Sequence, residues 1–361
     1  MRPRATDDLV ITALDAWPVD LRLTDDFTIS KGSVKVAENV FLRLTLASGI
    51  AGFGEVAPLP QLMGADRVSH LRALDRLREI VVGQPVSRYR RLSETMTAAE
   101  PGHPAARAGV ETAMLDAFCR ACRIPMWAFW GGAAAEPRDT DITLPILPLD
   151  RCLELAEHWW TAGFRIFKLK VGSKIDADLE RLEHLVRRHP DAAIILDANQ
   201  GFSVDDGLRF IAEASRLCKT VRLFEQPVAA ADLEGMARIA ASTTIPVAAD
   251  ESVISARDAL DVVRLEAAAV VNLKIMRCGV LESVRIAQIA HAAGLGLMIG
   301  GMVESRLAMA CSLSLVYGLG WIHHCDLDTP LLLAEDPVRG GYRYDGPRMS
   351  VWTEAGLGLV V

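Results

Sequence analysis

Ile166-Phe167-Lys168-Leu169-Lys170-Val171, Ala193-Ile194-Ile195-Leu196-Asp197, Val221-Arg222-Leu223-Phe224-Glu225, Pro246-Val247-Ala248-Ala249-Asp250 and Val270-Val271-Asn272-Leu273-Lys274-Ile275 are five short apolar runs, each carrying charge toward its C-terminal end. The charged residues recur every 24 to 28 positions. Such runs have the length and composition of buried strands. Working outward, Ile142–Leu147, Leu295–Ile299 and Trp321–Asp326 extend the series to eight. Amphipathic stretches separate them, among them Asp176–His189, Val280–Ala292 and Val303–Tyr317. Eight strands alternating with seven helices predict a (β/α) barrel rather than an open sheet, with its active site at the C-terminal strand ends. The charges fall at those ends.

The flanks differ. Leu9–Val56 is period-two and β-branched, with Val40–Leu46 alternating as a half-buried strand and a polar loop expected over Thr24–Val36. Helical periodicity runs from Asp66 to about Arg123, with Pro104 suited to a helix start. Pro125 and Gly131-Gly132 close a small α+β domain, 1–135. The barrel is expected over 136–334, and the tail 335–361 loses the rhythm and is expected to return to the first domain.

The bulk numbers narrow the function. At 361 residues and 51% hydrophobic, the chain has room for a barrel and a smaller domain. A net charge of −7 without a basic cluster argues against nucleic acid. No apolar run approaches a membrane span, and Met1–Asp8 lacks the apolar core of a secretion signal. Seven scattered cysteines suit a reducing cytoplasm. Cys119 and Cys122 form a CxxC inside a helical pattern with no second pair, so ordinary helix cysteines are expected.

Counting from Ile142, Lys168 and Lys170 end strand two, Asp197 strand three, Glu225 strand four, Asp250 strand five and Lys274 strand six. Strands two and six face each other across a ring of eight. Two lysines on opposite walls suit a racemase or epimerase, one removing a proton and the other returning it on the far face. Three hard oxygen ligands on the intervening strands suit Mg²⁺, or Mn²⁺, rather than zinc. The ion would hold a substrate carboxylate and stabilise the enediolate formed on deprotonation. Salt bridging to the same lysines is the plainer role for these acids. Lys168 and Lys170 share a strand face. Like charge and the metal are expected to lower the Lys170 pKa, with Lys168 tuning it and touching the substrate carboxylate.

Lys168-Leu169-Lys170, Asp197-Ala198-Asn199-Gln200-Gly201, Glu225-Gln226-Pro227, Ala249-Asp250-Glu251-Ser252, Asn272-Leu273-Lys274 and Gly300–Ser305 together resemble the enolase superfamily, muconate-lactonizing-enzyme subgroup. The resemblance spans nearly the whole chain. It implies a (β/α)7β modified TIM barrel under an α+β capping domain, loops Thr24–Val36 and Pro58–Asp66 closing on substrate, one Mg²⁺ per subunit, and a homo-oligomer.

Asp326-Leu327-Asp328 discriminates among reactions. Two carboxylates on one face repel and call for a cation, and no basic residue is near in sequence, so a substrate ammonium fits. Helix capping or loop salt bridges are the alternative. The motif is similar to that of dipeptide epimerases, including those acting on Ala–Glu, where paired aspartates bind the free α-amino group. The resemblance thus implies Mg²⁺-dependent epimerisation at the α-carbon of the C-terminal residue of an L,L-dipeptide. Thr143 either contacts the peptide or packs. Lys31 suits an acidic substrate side chain, whereas Asp25 and Asp26 argue the other way. N-acylamino-acid racemase, o-succinylbenzoate synthase and muconate cycloisomerase use the same lysines and metal but leave Asp326 and Asp328 without a purpose. Dehydratases of this fold generally use a histidine base, which strand six lacks. A noncatalytic binding protein would be expected to lose a lysine or ligand, and none is lost. His323-His324 is expected to be structural, and Cys278 and Met298 to lie near the mouth.

Overall fold

The computed structural model describes residues 7–133 and 136–361. Period-two alternation at the start becomes an antiparallel sheet of Ile11–Ile29, Gly32–Leu46 and Ala51–Val56. The expected loop over 24–36 is mostly strand. Phe27, Thr28 and Ile29 pair with Val34, Ser33 and Gly32, leaving Ser30-Lys31 as the turn. A register break between Arg22 and Phe27 absorbs the acidic pair. The β-branched and aromatic residues there outweigh the polar ones.

The helical stretch predicted over 66–123 is three main helices, Arg67–Val81, Tyr89–Ala99 and Pro104–Cys122. Asp66 caps the first through the Ser69 N–H, and Pro104 opens the third within its first turn. Gly83, Pro85 and Pro101-Gly102 account for the breaks. All seven cysteines are free, and Cys119 is buried in the third helix.

Eight parallel strands follow in chain order around the barrel: Ile142–Leu144, Ile166–Lys170, Ala193–Asp197, Val221–Glu225, Val247–Ala249, Val270–Leu273, Gly296–Gly300 and His324–Asp326. Strands one, five, six and eight are shorter than the apolar runs suggested. Asp250 and Lys274 sit just past the last ladder residue, where the backbone has turned out of the sheet. His323 precedes strand eight, remote from the mouth.

Side chains help close the barrel between strands eight and one. Asp141 N–H donates to Cys325 C=O at 3.0 Å, Leu327 N–H donates to Thr140 Oγ1 at 2.9 Å, and Thr143 N–H donates to Asp328 Oδ2 at 2.6 Å. Ile195, Leu223, Ala248, Val270 and Met298 form a separate apolar plug inside the barrel. Each lies two residues, or a multiple of two, before a mouth residue, so one inward face carries both layers. Met298 therefore belongs to the plug rather than the mouth.

Buried glutamates dock the first sheet and helices on the barrel. Glu55 accepts hydrogen bonds from Asn39, Ser305 N–H, Ser305 Oγ and Ala308 N–H at the start of barrel helix Arg306–Leu319. Glu111 does the same for Val280 and Leu281 N–H of helix Val280–Ala292. A carboxylate at a helix N-terminus meets its unpaired N–H groups and the positive end of its dipole. The tail runs back along these helices: Met126 N–H donates to Gly356 C=O, and Leu357 N–H donates to Asp116.

Candidate active site

Strand register sets the level of each charge. Lys170 pairs with Asp197 and Asp197 with Glu225, while Lys168 starts one inward position deeper, level with Thr143. Its four-carbon stem carries the ammonium up to the acids. Lys168 Nζ lies 2.6 Å from Asp326 Oδ2, 2.9 Å from Glu225 Oε2 and 3.1 Å from Asp197 Oδ2. Burial opposes its charge, but these carboxylates with Asp141 outweigh it and push the Lys168 pKa well above the usual lysine range. Lys168 is thus a fixed cation that ties the acids together. It does not line the small cavity described next.

The other two lysines do face the cavity. Lys170 Nζ donates to Asp197 Oδ2 at 2.6 Å and Asn199 Oδ1 at 3.2 Å, and Lys274 Nζ lies 2.9 Å from Asp250 Oδ2. Burial lowers the pKa of Lys274, and Asp250 more than compensates. Both lysines line one small cavity with Thr143, Asn199, Asp326 and Asp328, about 20 Å³ in volume, roofed by Phe27, Ile29, Leu59 and Leu62. The roof comes from the first hairpin and from the loop after Pro58, the segments expected to close. Gly300 makes the crowding possible: a Cβ there would lie 2.8 Å from Asp326 Oδ2 and 3.2 Å from Lys274 Cε.

Asp197, Glu225 and Asp250 are fully buried. Burial raises each carboxyl pKa. Lys170 and Lys168 reverse this at Asp197, and Arg277 and Lys274 reverse it at Asp250, holding both far below the usual range. Glu225, with Asp197 beside it, is raised to about 7. Glu225 Oε2 and Asp250 Oδ2 accept no hydrogen bond, although each has an ammonium at 2.9 Å. Buried oxygens with unused lone pairs on adjacent strands fit a hard divalent ion.

The Asp326/Asp328 pair differs from expectation. Asp326 has a protein cation, Lys168, invisible in sequence because 158 residues separate them. Asp328 spends Oδ2 on the barrel seam, leaving Oδ1 without a donor. Burial and Asp326 raise the Asp328 pKa to about 6. A third buried acid, Asp141, lies within 4.8 Å of both, and neither of its oxygens has a donor. Lys31 is exposed and away from the cavity lining, its Nζ 3.4 Å from Gln200 C=O.

The comparisons with known proteins agree with this geometry. Residues 14–131 match the mandelate racemase / muconate lactonizing enzyme N-terminal domain, and residues 151–361 match the enolase C-terminal domain-like family. The chain belongs to the enolase superfamily. It is 39% identical over 350 residues to an aromatic dipeptide epimerase of Herpetosiphon aurantiacus, covering 97% of this chain and 98% of that one. A dipeptide epimerase from Enterococcus faecalis V583, solved with Mg and the dipeptide L-Leu-L-Tyr, superposes with a TM-score of 0.93 at 28% identity, covering 98% of this chain and all of that one. An N-succinyl-L-Arg/Lys racemase of Bacillus cereus is 29% identical, covering 97% of this chain and 95% of that one.

Within the enolase-type site, sequence reasoning missed several residues. Gln226, at φ 35°, accepts from Asp250 N–H and Ser252 N–H and donates to Val228 C=O and Ser252, fixing the end of strand five from strand four. Asn272 donates to Glu225 Oε1 at 2.8 Å, and Arg277 to Asp250 Oδ1 at 2.7 Å. Asn199 and Gln200 also hold positive φ. Non-glycine residues in that region are strained and concentrate at functional sites. Asp141 had a usable signal: it shares the inward face of Thr143, two residues on.

Proposed function

We propose that this chain is a Mg²⁺-dependent dipeptide epimerase that inverts the α-carbon of the C-terminal residue of an L,L-dipeptide by a two-base 1,1-proton transfer. The observation that carries the reading is the single roofed cavity lined by Lys170, Lys274, Asp326 and Asp328. Asp197, Glu225 and Asp250 would hold one divalent ion per subunit, Mg²⁺ or Mn²⁺. When bound, that ion supplies Lewis-acid stabilisation of negative charge developing on a carboxylate.

The chain's own residues do the rest. Whichever of Lys170 Nζ and Lys274 Nζ is unprotonated removes the α-proton, and the protonated one on the facing wall delivers a proton to the opposite face. Phe27, Ile29, Leu59 and Leu62 exclude water, so the proton returns to carbon under the control of the site. Asp326 and Asp328 hold the dipeptide's α-ammonium, with Asp328 Oδ1 offering a lone pair that no protein donor fills. That orphaned oxygen favours a free amine over the N-acyl group of the racemase alternative. Thr143 orients Asp328 through its N–H, and Lys31 at the exposed hairpin turn would meet an acidic substrate side chain.

The capping unit comprises 1–135 with the tail 335–361, and 136–334 forms the catalytic barrel; residues 1–6 and the boundary at 134–135 lie outside the described residues. We propose a cytoplasmic setting, supported by seven free cysteines, and a homo-oligomer, supported by family membership alone. No described helix is long and apolar enough to cross a membrane.

Incubation with Mg²⁺ and mixed L,L-dipeptides in heavy water tests the reading. Uptake of one deuteron into a subset of dipeptides is expected. Exchange confined to N-succinyl amino acids would replace it with the racemase.

A further inference from the structure

Between helices Tyr89–Ala99 and Pro104–Cys122 and the barrel loops after Asp250 and Lys274 lies a second cavity, about 540 Å³, separate from the lysine cavity. That is the size of a small-molecule site. Its wall includes Arg107, 7% exposed. Among the described residues the Arg107 side chain makes no hydrogen bond and no ion pair, and its Nε is buried without an acceptor.

The neighbouring carboxylates are committed elsewhere. Glu111 accepts from Ser93 and from two helix N–H groups, Asp258 from Ser255 and Ile254 N–H, and Glu282 from Ala256 N–H and Arg285. Its Nε is a buried donor without an acceptor, which costs free energy until one arrives, and a fork-shaped ligand at the cavity would supply it.

We propose that this cavity binds the carboxylate of a small zwitterion, of free amino-acid size, on Arg107. Four acids (Glu94, Glu111, Asp258 and Glu282) against two arginines (Arg107 and Arg285) leave the lining at −2. That field disfavours a phosphate or other polyanion and tolerates an accompanying ammonium. One guanidinium matches one carboxylate in a fork-to-fork pair. The site also abuts the active-site wall: Cys278 lines it, and Cys278 N–H donates to Lys274 C=O at 3.2 Å. An occupant therefore braces the turn that carries Lys274. The inference stands apart from the epimerase reading, since it uses none of the residues assigned to turnover.

The test is calorimetric titration of the Mg²⁺-loaded full chain with L-alanine, with propylamine as the probe lacking a carboxylate. Saturable alanine binding is expected, weakened roughly ten- to hundredfold in Arg107→Met, with propylamine silent. Alanine held at the lysine cavity would survive Arg107→Met, and that result overturns the proposal. So does wild-type protein that binds no alanine, or binds propylamine equally. Should Arg107→Met fail to fold, hydrogen exchange on wild type decides: alanine is expected to protect amides of 93–101 and 275–282, and unchanged exchange there overturns it.

Discussion

Two sets of three buried carboxylates share one barrel and differ in how many cations face them. Asp197, Glu225 and Asp250 lie among four cationic side chains, Lys168, Lys170, Lys274 and Arg277, which hold Asp197 and Asp250 ionised. Asp141, Asp326 and Asp328 share Lys168 alone, and burial with mutual repulsion raises Asp141 and Asp328. In the first set those cations keep two of the three carboxyls ionised, while burial and Asp197 raise Glu225 to about 7. The second is short of positive charge and donors until something cationic arrives, as a site for a transient ammonium must be. Lys168 links them, so its charge serves both.

The largest expected effect breaks the symmetry of the lysines. Lys170→Ala or Lys274→Ala should each abolish epimerisation, a loss in kcat of at least about 10⁴-fold, while magnesium still binds and the Mg²⁺-loaded variants still fold. Next, Gln226→Ala should release the end of strand five and weaken Mg²⁺ by roughly 10–100-fold, the usual cost of losing a group that orients a ligand, read by calorimetry. On the second set, Asp328→Asn should raise KM for an L,L-dipeptide roughly ten- to hundredfold with a smaller change in kcat; unchanged KM would remove the ammonium role.

A pH profile sharpens the contrast. Ammonium binding needs Asp328 ionised, so KM should climb as pH falls through about 6, and Asp328→Asn should flatten that limb. The stability sign is opposite. A carboxyl whose folded pKa is raised keeps its proton longer than in the unfolded chain, so its contribution to stability falls as pH rises from about 4 toward 6. The smallest effect belongs to Asp141→Asn: near-neutral kinetics, with stability equal or slightly higher in denaturant titration because an uncompensated buried acid is gone.

Much of this was legible in sequence because strand periodicity is local. Period two put Lys168 with Lys170 and Asp326 with Asp328, and the spacing of apolar runs put Lys170 opposite Lys274. Partners across the ring were not legible. Lys168 and Asp326 meet only because strands two and eight both flank strand one, and the lysine stem is long enough to span a layer. The first hairpin was misjudged because the polar character of Thr24–Val36 read as a loop, whereas a register break between Arg22 and Phe27 lets the strand continue. Asp141 precedes the first strand among residues that serve the seam, and its one sequence signal is its period-two relation to Thr143.

The central claim is that two lysines on opposite walls each serve one face of the same carbon. The most direct measurement follows α-proton exchange in heavy water for Lys170→Ala and Lys274→Ala, each offered the L,L and the L,D dipeptide separately. The account predicts that neither variant epimerises, that each still exchanges one epimer, and that the two variants exchange opposite ones. Exchange of the same epimer by both, or epimerisation by either, would contradict it.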